Sequence, residues 1–400
     1  MSFETSARPV GWGLYLRLSG FYGAIFLLSG LTTPLWPVFL DAKGMTASQI
    51  GILLALTTWT RAAASPAAAA IADRTGHLRR LMVGATIITL LLSGLFFVAE
   101  GFWPLLLVSM VAYFAITCVN PLGEAITLRR VSVGRDYGRI RLWGSVTFII
   151  SASLGGWLLD VIEGPRANVI LVLIMIAVFI SIFGCAAMPD ERLTKSPALT
   201  TRLSALMRNR PFMLVIAATS LIHGSHMIYY GFGTLYWLDI GLSPTVIGLL
   251  WAEGVVAEIL LFAFGARLCE RLGVGGLLGI AAACSALRWA IMPLTTEIWV
   301  FALIQLLHAA SFGAMHLGAM RFIVRALPES HAVAGQSLYS GISNGVALGV
   351  GFLVAGWLYG AYAEAAFYSG TGFALLGLVS VIALRRCWHR GEKIALRERG

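Results

Sequence analysis

Asn120-Pro-Leu-Gly-Glu124 and Tyr137-Gly-Arg-Ile-Arg141-Leu-Trp-Gly-Ser145 stand on either side of a short basic turn. Glu124 ends one apolar run and Arg141 opens the next, and both lie about equally far from the turn along the chain. If both runs are helices, the two side chains lie at similar depth, roughly 12 Å from the turn at 1.5 Å per residue. A carboxylate and a guanidinium at one depth inside a membrane indicate a functional site.

The composition of the whole chain predicts that this stretch belongs to a membrane protein. Of 400 residues, 58% are hydrophobic and 12% are charged, and the mean hydropathy is +0.83. Apolar runs of about 20–28 residues recur along the chain, each long enough to cross ~30 Å of hydrocarbon. Backbone groups in lipid must bond internally, which favours helices. We therefore predict an all-α, multi-pass membrane protein, and the short polar N-terminus predicts no cleavable signal peptide.

Twelve membrane spans are predicted, separated by turns that contain glycine or proline. Their approximate bounds are 13–40, 46–72, 79–99, 103–129, 138–160, 166–187, 211–239, 243–268, 273–293, 297–326, 332–359 and 363–385. The longest polar break, 188–210, predicts a cytoplasmic linker. Residues 1–187 are then one six-helix bundle, and residues 211–400 are a second bundle with a cytoplasmic tail.

The basic residues predict the orientation. Only Lys43 and Arg166 of the 29 Lys and Arg residues fall in segments predicted to lie outside. Besides those at the inner ends of spans, which count with the inside segments, four arginines are predicted to lie within the membrane, namely Arg61, Arg141, Arg288 and Arg321. The remainder lie in inside segments, which predicts that both termini are cytoplasmic and that the protein spans the inner (plasma) membrane. The same pattern accounts for the net charge of +10, so the bilayer, and not nucleic acid, is the predicted partner.

An internal repeat appears when the chain is shifted by 197 residues. The shift aligns Ile50-Gly-Ile-Leu53 with Ile247-Gly-Leu-Leu250, Asp73-Arg-Thr-Gly76 with Glu270-Arg-Leu-Gly273, and Gly138 and Gly144 with Gly335 and Gly341. Six helices per repeat make the repeats parallel, with an axis along the membrane normal. The two halves of major facilitator transporters have this relation.

Asp73-Arg-Thr-Gly-His-Leu-Arg-Arg80 joins the second and third spans and resembles the Asp-Arg-x-Gly-x-x-Arg-Arg loop of the major facilitator superfamily. Gly76 permits a tight turn there. The resemblance implies that this loop closes a cytoplasmic gate. The gating residues predicted on this basis, with their repeat counterparts, are Asp73, Arg74, Gly76, Arg80, Glu270 and Arg271.

The segment from Tyr137 to Ser145 resembles the start of helix 5 in lactose permease-type proton symporters. That resemblance implies that Glu124 and Arg141 bind substrate. Further segments resemble bacterial phenylpropionate permeases, namely Tyr229-Tyr-Gly-Phe232, Trp251 with Gly254-Val-Val-Ala-Glu258, Arg288-Trp-Ala-Ile-Met292, Leu307-His308, and His316-Leu-Gly-Ala-Met-Arg-Phe322.

The chain departs from the lactose permease pattern at one position. Where those proteins have a proton-carrying carboxylate three residues after a histidine, this chain has Ser311 after His308. The resemblance therefore implies that the proton carrier is another residue, and the candidates are Glu258, Glu253 and Glu124.

Other polar residues within predicted spans complete the candidate sites, because a charge at the bilayer centre costs ~2.5–3.5 kcal/mol and must face a cavity or a partner. The predicted substrate-binding residues are Glu124, Arg141, Asn120, Arg61, Tyr113 and Tyr230. The predicted proton-coupling residues are Glu258, Glu253, His308, His316 and Arg288, and histidine titrates near physiological pH. In the superfamily fold the eighth span borders the fifth, which would bring Glu258 towards Arg141. Arg321 lies nearer the cytosol and could snorkel.

Together these features predict a secondary transporter, a proton-coupled symporter of a small organic, aromatic carboxylate acting as a monomer. A sugar or a nucleoside is the alternative cargo, since Glu124 and Arg141 could bind hydroxyls. The sequence has no Gly-x-x-x-x-Gly-Lys-Ser/Thr motif for nucleotides. It also has no nucleophile–base pair and no metal-ligand spacing, so neither an enzyme nor a cofactor nor a metal is predicted. A membrane sensor on the same fold is the remaining alternative.

Overall fold

A computed structural model describes residues 11–131, 135–191, 200–388 and 392–394. These ranges are helical almost throughout and contain no β-strand. The α-helices, in chain order, are α1 Trp12–Ala42, α2 Ala47–Thr75, α3 Leu78–Leu95, α4 Phe102–Thr117, α5 Val119–Arg130, α6 Arg135–Val161, α7 Arg166–Ala187, α8 Thr200–Met207, α9 Arg210–Gly224, α10 Met227–Asp239, α11 Pro244–Phe264, α12 Ala266–Ile291, α13 Ile298–Leu306, α14 Ala314–Ala326, α15 Glu329–Gly341, α16 Ala347–Tyr362 and α17 Phe367–Cys387.

Ten helical stretches within the described ranges are long and apolar enough to cross a membrane. They match the predicted spans except at two places. Helix α2 is not among them, and the last two predicted spans lie in one stretch of 59 residues, Glu329–Cys387. The prediction of an all-α, multi-pass membrane protein is confirmed.

Several predicted spans are interrupted, although each is a continuous apolar run in the sequence. The fourth span is divided at Cys118, between α4 and α5, and the seventh at Ser225 and His226, between α9 and α10. Two π-helical segments, Ala309–Gly313 and Ile342–Val346, interrupt the tenth and eleventh spans. π-Helical turns are rare and frequently occur at functional sites.

The backbone repeats at the same 197-residue offset as the sequence. Gly44 and Gly241 have φ values of 79° and 87°, and Gly76 and Gly273 have values of 71° and 63°. Positive φ is available to glycine without the steric penalty of a Cβ atom. The two halves of the chain therefore turn at equivalent points.

The chain divides into two compact units, Met1–Lys43 with Thr60–Lys195, and Gly44–Trp59 with Ser196–Gly400. In the first unit, α1 packs against α6 and α7. A Cβ atom on Gly184 would stand 2.8 Å from the Cβ of Ala24, so the glycine allows α7 to approach α1 closely.

The second unit has its own buried core, formed by α9, α12, α14 and α17 among others. The first part of α2 belongs to this unit and packs on α16. A Cβ atom on Gly51 would stand 2.8 Å from the Cα of Gly356, and Trp59 Nε1 donates a hydrogen bond to the Val346 carbonyl at 3.3 Å. Small residues at such a crossing permit close backbone contact.

The segment predicted as a linker, 188–210, contains helix α8. Its residues 192–199 lie outside the described part. At the start of α9 the side chain of Asn209 accepts a hydrogen bond from Phe212 N at 3.1 Å, and proline follows as Pro211. This combination is a common helix N-terminus.

Candidate functional site

In the first unit, Glu124 and Arg141 lie together through a tyrosine that the sequence reasoning did not select. Tyr137 donates a hydrogen bond to Glu124 Oε1 at 2.5 Å, and Arg141 Nη1 lies 3.4 Å from the Tyr137 hydroxyl. Arg141 Nη1 also lies 3.7 Å from Glu124 Oε1. Helix α5 carries the acid, and α6 carries the other two residues four positions apart, on one helix face.

Two aromatic rings of α1 lie next to the guanidinium of this pair. Arg141 Cζ is 5.9 Å from the centroid of Tyr22 and 5.8 Å from that of Phe26. Glycine on α6 makes room, because a Cβ atom on Gly144 would meet the Phe26 ring at 2.9 Å. Arginine over an aromatic face contributes about 0.5–1 kcal/mol at exposed sites.

The charged side chains of this group remain accessible. The exposed fraction is 47% for the Arg141 side chain and 43% for the Glu124 side chain. A half-exposed ion pair can exchange a partner for a small molecule without the large desolvation penalty that buried charges carry. The group of Glu124, Tyr137, Arg141, Tyr22 and Phe26 is called the Arg141 group below.

Three other predicted substrate-binding residues belong to the same unit. Tyr113 is half-buried on α4, and its carbonyl accepts a hydrogen bond from Thr117 at 2.8 Å. Asn120 is exposed on α5, beyond the break at Cys118. The side chain of Arg61 lies outside the described part of the chain. The structure thus brings together Glu124 and Arg141.

The predicted gate loop turns at Gly76 and contacts the short segment that follows α7. His77 Nδ1 lies 3.3 Å from Asp190 Oδ2, and Arg79 Nη2 lies 4.0 Å from the same oxygen. The backbone N–H of Leu78 donates to the carbonyl of Glu191 at 3.3 Å.

The segment that contains Asp190 and Glu191 also contacts a second basic segment. The carboxylate of Glu191 contacts Arg130 and lies 3.9 Å from Arg129 Nη1, at the end of α5. These pairs are partly exposed, where an ion pair contributes about 0–1 kcal/mol. They hold the loop without accounting for much stability.

The remaining predicted gate residues are exposed. They are Arg74, Arg80, Glu270 and Arg271. The side chain of Asp73 lies outside the described part. A gating role for this set stays a prediction.

In the second unit, the centre of the polar side chains is Arg288 on α12, whose exposed fraction is 0%. Its Nη1 donates to Ser311 Oγ at 2.8 Å and to His308 Nδ1 at 3.2 Å, and its Nη2 donates to Gln305 Oε1 at 2.6 Å. In the described part of the chain, no carboxylate lies within ion-pair distance of Arg288, and its Nε has no hydrogen-bond partner. A buried guanidinium held only by neutral groups retains a large desolvation cost.

Aromatic rings and an amide enclose this guanidinium. Arg288 Cζ lies 4.4 Å from the Trp289 centroid and 5.5 Å from that of Tyr229. Gln305 Nε2 donates to the Tyr229 hydroxyl at 2.7 Å, which fixes the amide so that its oxygen faces Arg288. Tyr229 in turn stacks on Trp251 with centroids 4.3 Å apart.

The hydrogen bond from Arg288 selects the tautomer of His308. An arginine donates and never accepts, so His308 Nδ1 must be the acceptor, and a neutral His308 carries its proton on Nε2. That nitrogen lies 3.9 Å from Glu258 Oε2. The predicted residues Arg288, His308 and Glu258 are therefore brought together, in that order.

His226 joins the same cluster from the break between α9 and α10. Its Nε2 lies 3.1 Å from Ser311 Oγ, and its Nδ1 lies 2.9 Å from the Ile222 carbonyl. Its ring centroid is 5.9 Å from that of His308 and 6.3 Å from that of His223. The residues Arg288, His308, Ser311, His226, Gln305 and Glu258 are called the Arg288 cluster below.

Other predicted residues of this unit lie around or away from the cluster. Tyr230 is half-buried, and its ring stacks near that of His226 at 6.0 Å. Glu253 is half-buried on α11. His316 contacts the Tyr339 hydroxyl at 3.3 Å and shares no described contact with His308, because the π segment between them interrupts the 3.6-residue period on which a common face depends. Arg321 donates to the Cys269 carbonyl.

The predicted site residues did not include Tyr137, Gln305 or His226, although His226 is one of the histidines within the predicted spans. A signal existed for Tyr137, since it precedes Arg141 by four residues on a helix. Gln305 and Ser311 lie in apolar stretches, and their partners come from distant helices, so no local pattern marks them. Within the described ranges, no group of three or more His, Cys, Asp and Glu side chains could hold a metal ion.

Comparisons with known proteins agree with this architecture. The model of the MFS_1 like family matches residues 15–369. A "Probable 3-phenylpropionic acid transporter" of Escherichia coli (strain K12) is 32% identical over 91% of this chain and 94% of its own length. A maltose permease of Geobacillus stearothermophilus is 28% identical, with 93% and 95% covered.

The fold is also that of a solved transporter. A mutant of the nucleoside transporter NupG superposes with a TM-score of 0.83 at 15% sequence identity, covering 93% of this chain and 99% of that one. At this identity the likeness shows the fold alone. With the family match across most of its length, the chain belongs to the MFS_1 like family of the major facilitator superfamily, a superfamily of membrane transporters.

Proposed function

We propose that the protein is a proton-coupled symporter of a small aromatic carboxylate that works by alternating access. The observation that carries the proposal is the half-exposed Arg141 guanidinium beside two aromatic rings. An arginine fork binds a carboxylate through two parallel hydrogen bonds, and aromatic rings pack against aromatic cargo. The name of the 32% identical relative favours the same class of cargo.

The substrate role is assigned to Arg141 with Glu124 and Tyr137. An incoming carboxylate would compete with Glu124 for Arg141, and Tyr137 holds Glu124 by a hydrogen bond meanwhile. Asn120, Tyr113, Arg61 and Tyr230 stay predicted substrate contacts. That Glu258 approaches Arg141 also stays a prediction, since the two residues belong to different units.

The proton-coupling role is assigned to the Arg288 cluster. It combines a buried positive charge, two histidines and a carboxylate within one unit. Buried ionisable groups inside membrane-spanning helices mark ion and proton paths in transporters. Glu253 and His316, also predicted for this role, share no described contact with Arg288.

We also propose a membrane topology. The chain crosses the inner membrane twelve times, and both termini lie in the cytoplasm. Ten stretches qualify by length and hydropathy, and the 59-residue stretch Glu329–Cys387 is long enough for two crossings. Helix α2, with 29 residues, is also long enough for one. The asymmetry of Lys and Arg supports the orientation. We further propose that the protein works as a monomer, with residues 1–187 and 211–400 as its two bundles.

The test is uptake of labelled 3-phenylpropionate into proteoliposomes that contain the purified protein. An inward proton gradient should drive accumulation, and dissipation of the gradient with a protonophore should abolish it. Protein-free liposomes at the same gradient report passive entry of the protonated acid. Gradient-driven uptake of a sugar, with no uptake of any aromatic acid beyond the protein-free level, would overturn the cargo assignment.

A sugar or a nucleoside is the second candidate cargo. The Glu124 carboxylate and the Tyr137 hydroxyl could serve as hydrogen-bond partners for sugar hydroxyls, and a 28% identical relative is named a maltose permease. Labelled maltose and uridine in parallel uptake assays separate these cargoes from the aromatic acid. Binding of a ligand without flux would instead favour a sensor.

A further inference from the structure

We infer that His226 is the residue of the Arg288 cluster that takes up the transported proton, with the Ser311 hydroxyl acting as a switch between its two protonation states. The inference rests on the proposed proton-coupled transport.

The first step is to account for the hydrogen atoms around neutral His226. The Ile222 carbonyl can only accept, so His226 Nδ1 carries a hydrogen and donates it at 2.9 Å. His226 Nε2 is then an acceptor. The group within reach is Ser311 Oγ at 3.1 Å, which donates to it. Ser311 Oγ at the same time accepts from Arg288 at 2.8 Å.

The second step is to add one proton to His226 Nε2. The imidazolium then donates from both nitrogens, to the Ile222 carbonyl and to Ser311 Oγ. Ser311 Oγ can accept from both His226 and Arg288, because a hydroxyl oxygen has two lone pairs. Its own hydrogen needs a new acceptor, and the His308 carbonyl oxygen lies 3.4 Å away.

Rotation of the Ser311 hydroxyl therefore keeps both ring nitrogens of His226 and the Ser311 hydroxyl hydrogen-bonded in both protonation states. The proton comes from water on the more acidic side of the membrane, and it returns to water on the other side when Ser311 rotates back. No other bond is made or broken. Buried polar groups that remain paired avoid the penalty of about 1–3 kcal/mol for an unsatisfied donor or acceptor.

His308 is less suited to hold the proton. Its Nδ1 accepts from Arg288, and a proton placed on that nitrogen would turn the contact at 3.2 Å into one between two donors. The remaining nitrogen of His308, Nε2, already carries a hydrogen in the tautomer that Arg288 selects. Of the two histidines in the Arg288 cluster, Arg288 thus keeps His308 neutral and leaves His226 with an acceptor nitrogen that can take a proton.

The charged groups around His226 decide whether it can hold a second positive charge beside Arg288. His226 faces His223 and Tyr230 from its own segment, Arg288 from α12, and His308 and Ser311 from the chain beyond α13. A second positive charge next to Arg288 is unfavourable unless an anion is near. Glu258 supplies one across His308, so the cluster can hold a second positive charge on His226.

The test compares two transport reactions of one set of variants in proteoliposomes. Accumulation of labelled 3-phenylpropionate is measured under an imposed difference of about 2 pH units, where one proton per carboxylate permits about 100-fold accumulation, tenfold per pH unit. Exchange of labelled for unlabelled cargo is measured at equal pH on both sides, where no net proton movement is needed. The variants are His226→Gln, Ser311→Ala, Glu258→Gln and, as the matched control, His331→Gln, which replaces a buried histidine of α15 outside the cluster.

We expect wild type and His331→Gln to accumulate and to exchange. His226→Gln should lose accumulation beyond that of protein-free liposomes at the same gradient, and it should keep exchange within about threefold of wild type, since glutamine can still bond Ser311 but takes no proton. Ser311→Ala should behave in the same way.

Three results would contradict the role of His226, and a fourth would contradict the proposed symport. Wild-type accumulation by His226→Gln would overturn the inference. Equal loss of exchange and accumulation, at an unchanged melting temperature, would show that His226 serves binding and would overturn it too. Loss of accumulation with retained exchange in Glu258→Gln alone would assign the proton to Glu258. Failure of the wild type to accumulate any cargo under the gradient would refute the proposed symport itself.

Discussion

Replacing Arg141 by lysine tests the Arg141 group most directly. Lysine keeps the charge but loses the planar fork, so it cannot bind a carboxylate through two parallel hydrogen bonds. Arg141 is held by Glu124 at 3.7 Å and by Tyr137 at 3.4 Å, and 47% of its side chain is exposed. The variant should therefore fold, because a partly exposed ion pair of this kind contributes only about 0–1 kcal/mol to stability.

The loss in binding can be estimated from the contacts that a carboxylate would make. One hydrogen bond to a charged group is worth about 1.5–3 kcal/mol, which corresponds to a roughly 10- to 150-fold increase in the concentration for half-maximal uptake. The measurement is concentration-dependent initial uptake of labelled 3-phenylpropionate in proteoliposomes. Arg139→Lys is the matched control, since Arg139 is exposed on the same helix two residues earlier. An Arg141→Lys half-maximal concentration within twofold of wild type would remove Arg141 from the cargo site.

Further substitutions test the neighbouring contacts. Tyr137→Phe removes the hydroxyl that donates to Glu124. Because such a hydrogen bond is worth about 0.5–1.5 kcal/mol, we expect the concentration for half-maximal uptake to rise roughly 2- to 10-fold. Gln305→Leu leaves Arg288 Nη2 without an acceptor, so the melting temperature in detergent should fall, by the equivalent of about 1–3 kcal/mol; no change would show that the amide is dispensable. Gly76→Ala places a Cβ atom at a φ of 71° and should cost about 1–2 kcal/mol, whereas Gly84→Ala, with open space around it on α3, should leave the melting temperature unchanged or higher.

Much of the helical architecture could be predicted from the sequence because it depends on local properties. The length of the apolar runs and the turn residues between them predicted helices that the structure has at nearly every predicted span. The Glu124–Arg141 approach followed from equal spacing on either side of one turn, which is also local information. The 197-residue offset correctly related Gly76 to Gly273, because a repeat preserves backbone turns even where side chains have diverged.

The interruptions and the Arg288 cluster could not be predicted in this way. Hydropathy carries no information about which backbone carbonyl accepts from which backbone N–H. The break at Cys118 and the π-helical segment Ala309–Gly313 therefore cannot be told from continuous α-helix in the sequence. The partners of Arg288 come from residues 17 to 23 positions away, across a helix connection. Such contacts depend on the packing of α12 against the following helices and leave no periodic signal.

The two arginines at the centres of these groups are suited to different tasks, and their surroundings explain why. Arg141 is half exposed and already paired with an acid, so a carboxylate can replace Glu124 with little change in total charge or desolvation. Arg288 is fully buried and bonded only to neutral side chains, so it cannot exchange partners easily, but its charge governs whether His226 and His308 can hold a proton. An arginine of the first kind selects an anion, and one of the second kind makes the protonation of its neighbours depend on whether an anion is near. Cargo recognition and proton binding are therefore assigned to different units of this chain, and substitutions in the Arg141 group should change affinity while those at His226 and Ser311 change coupling.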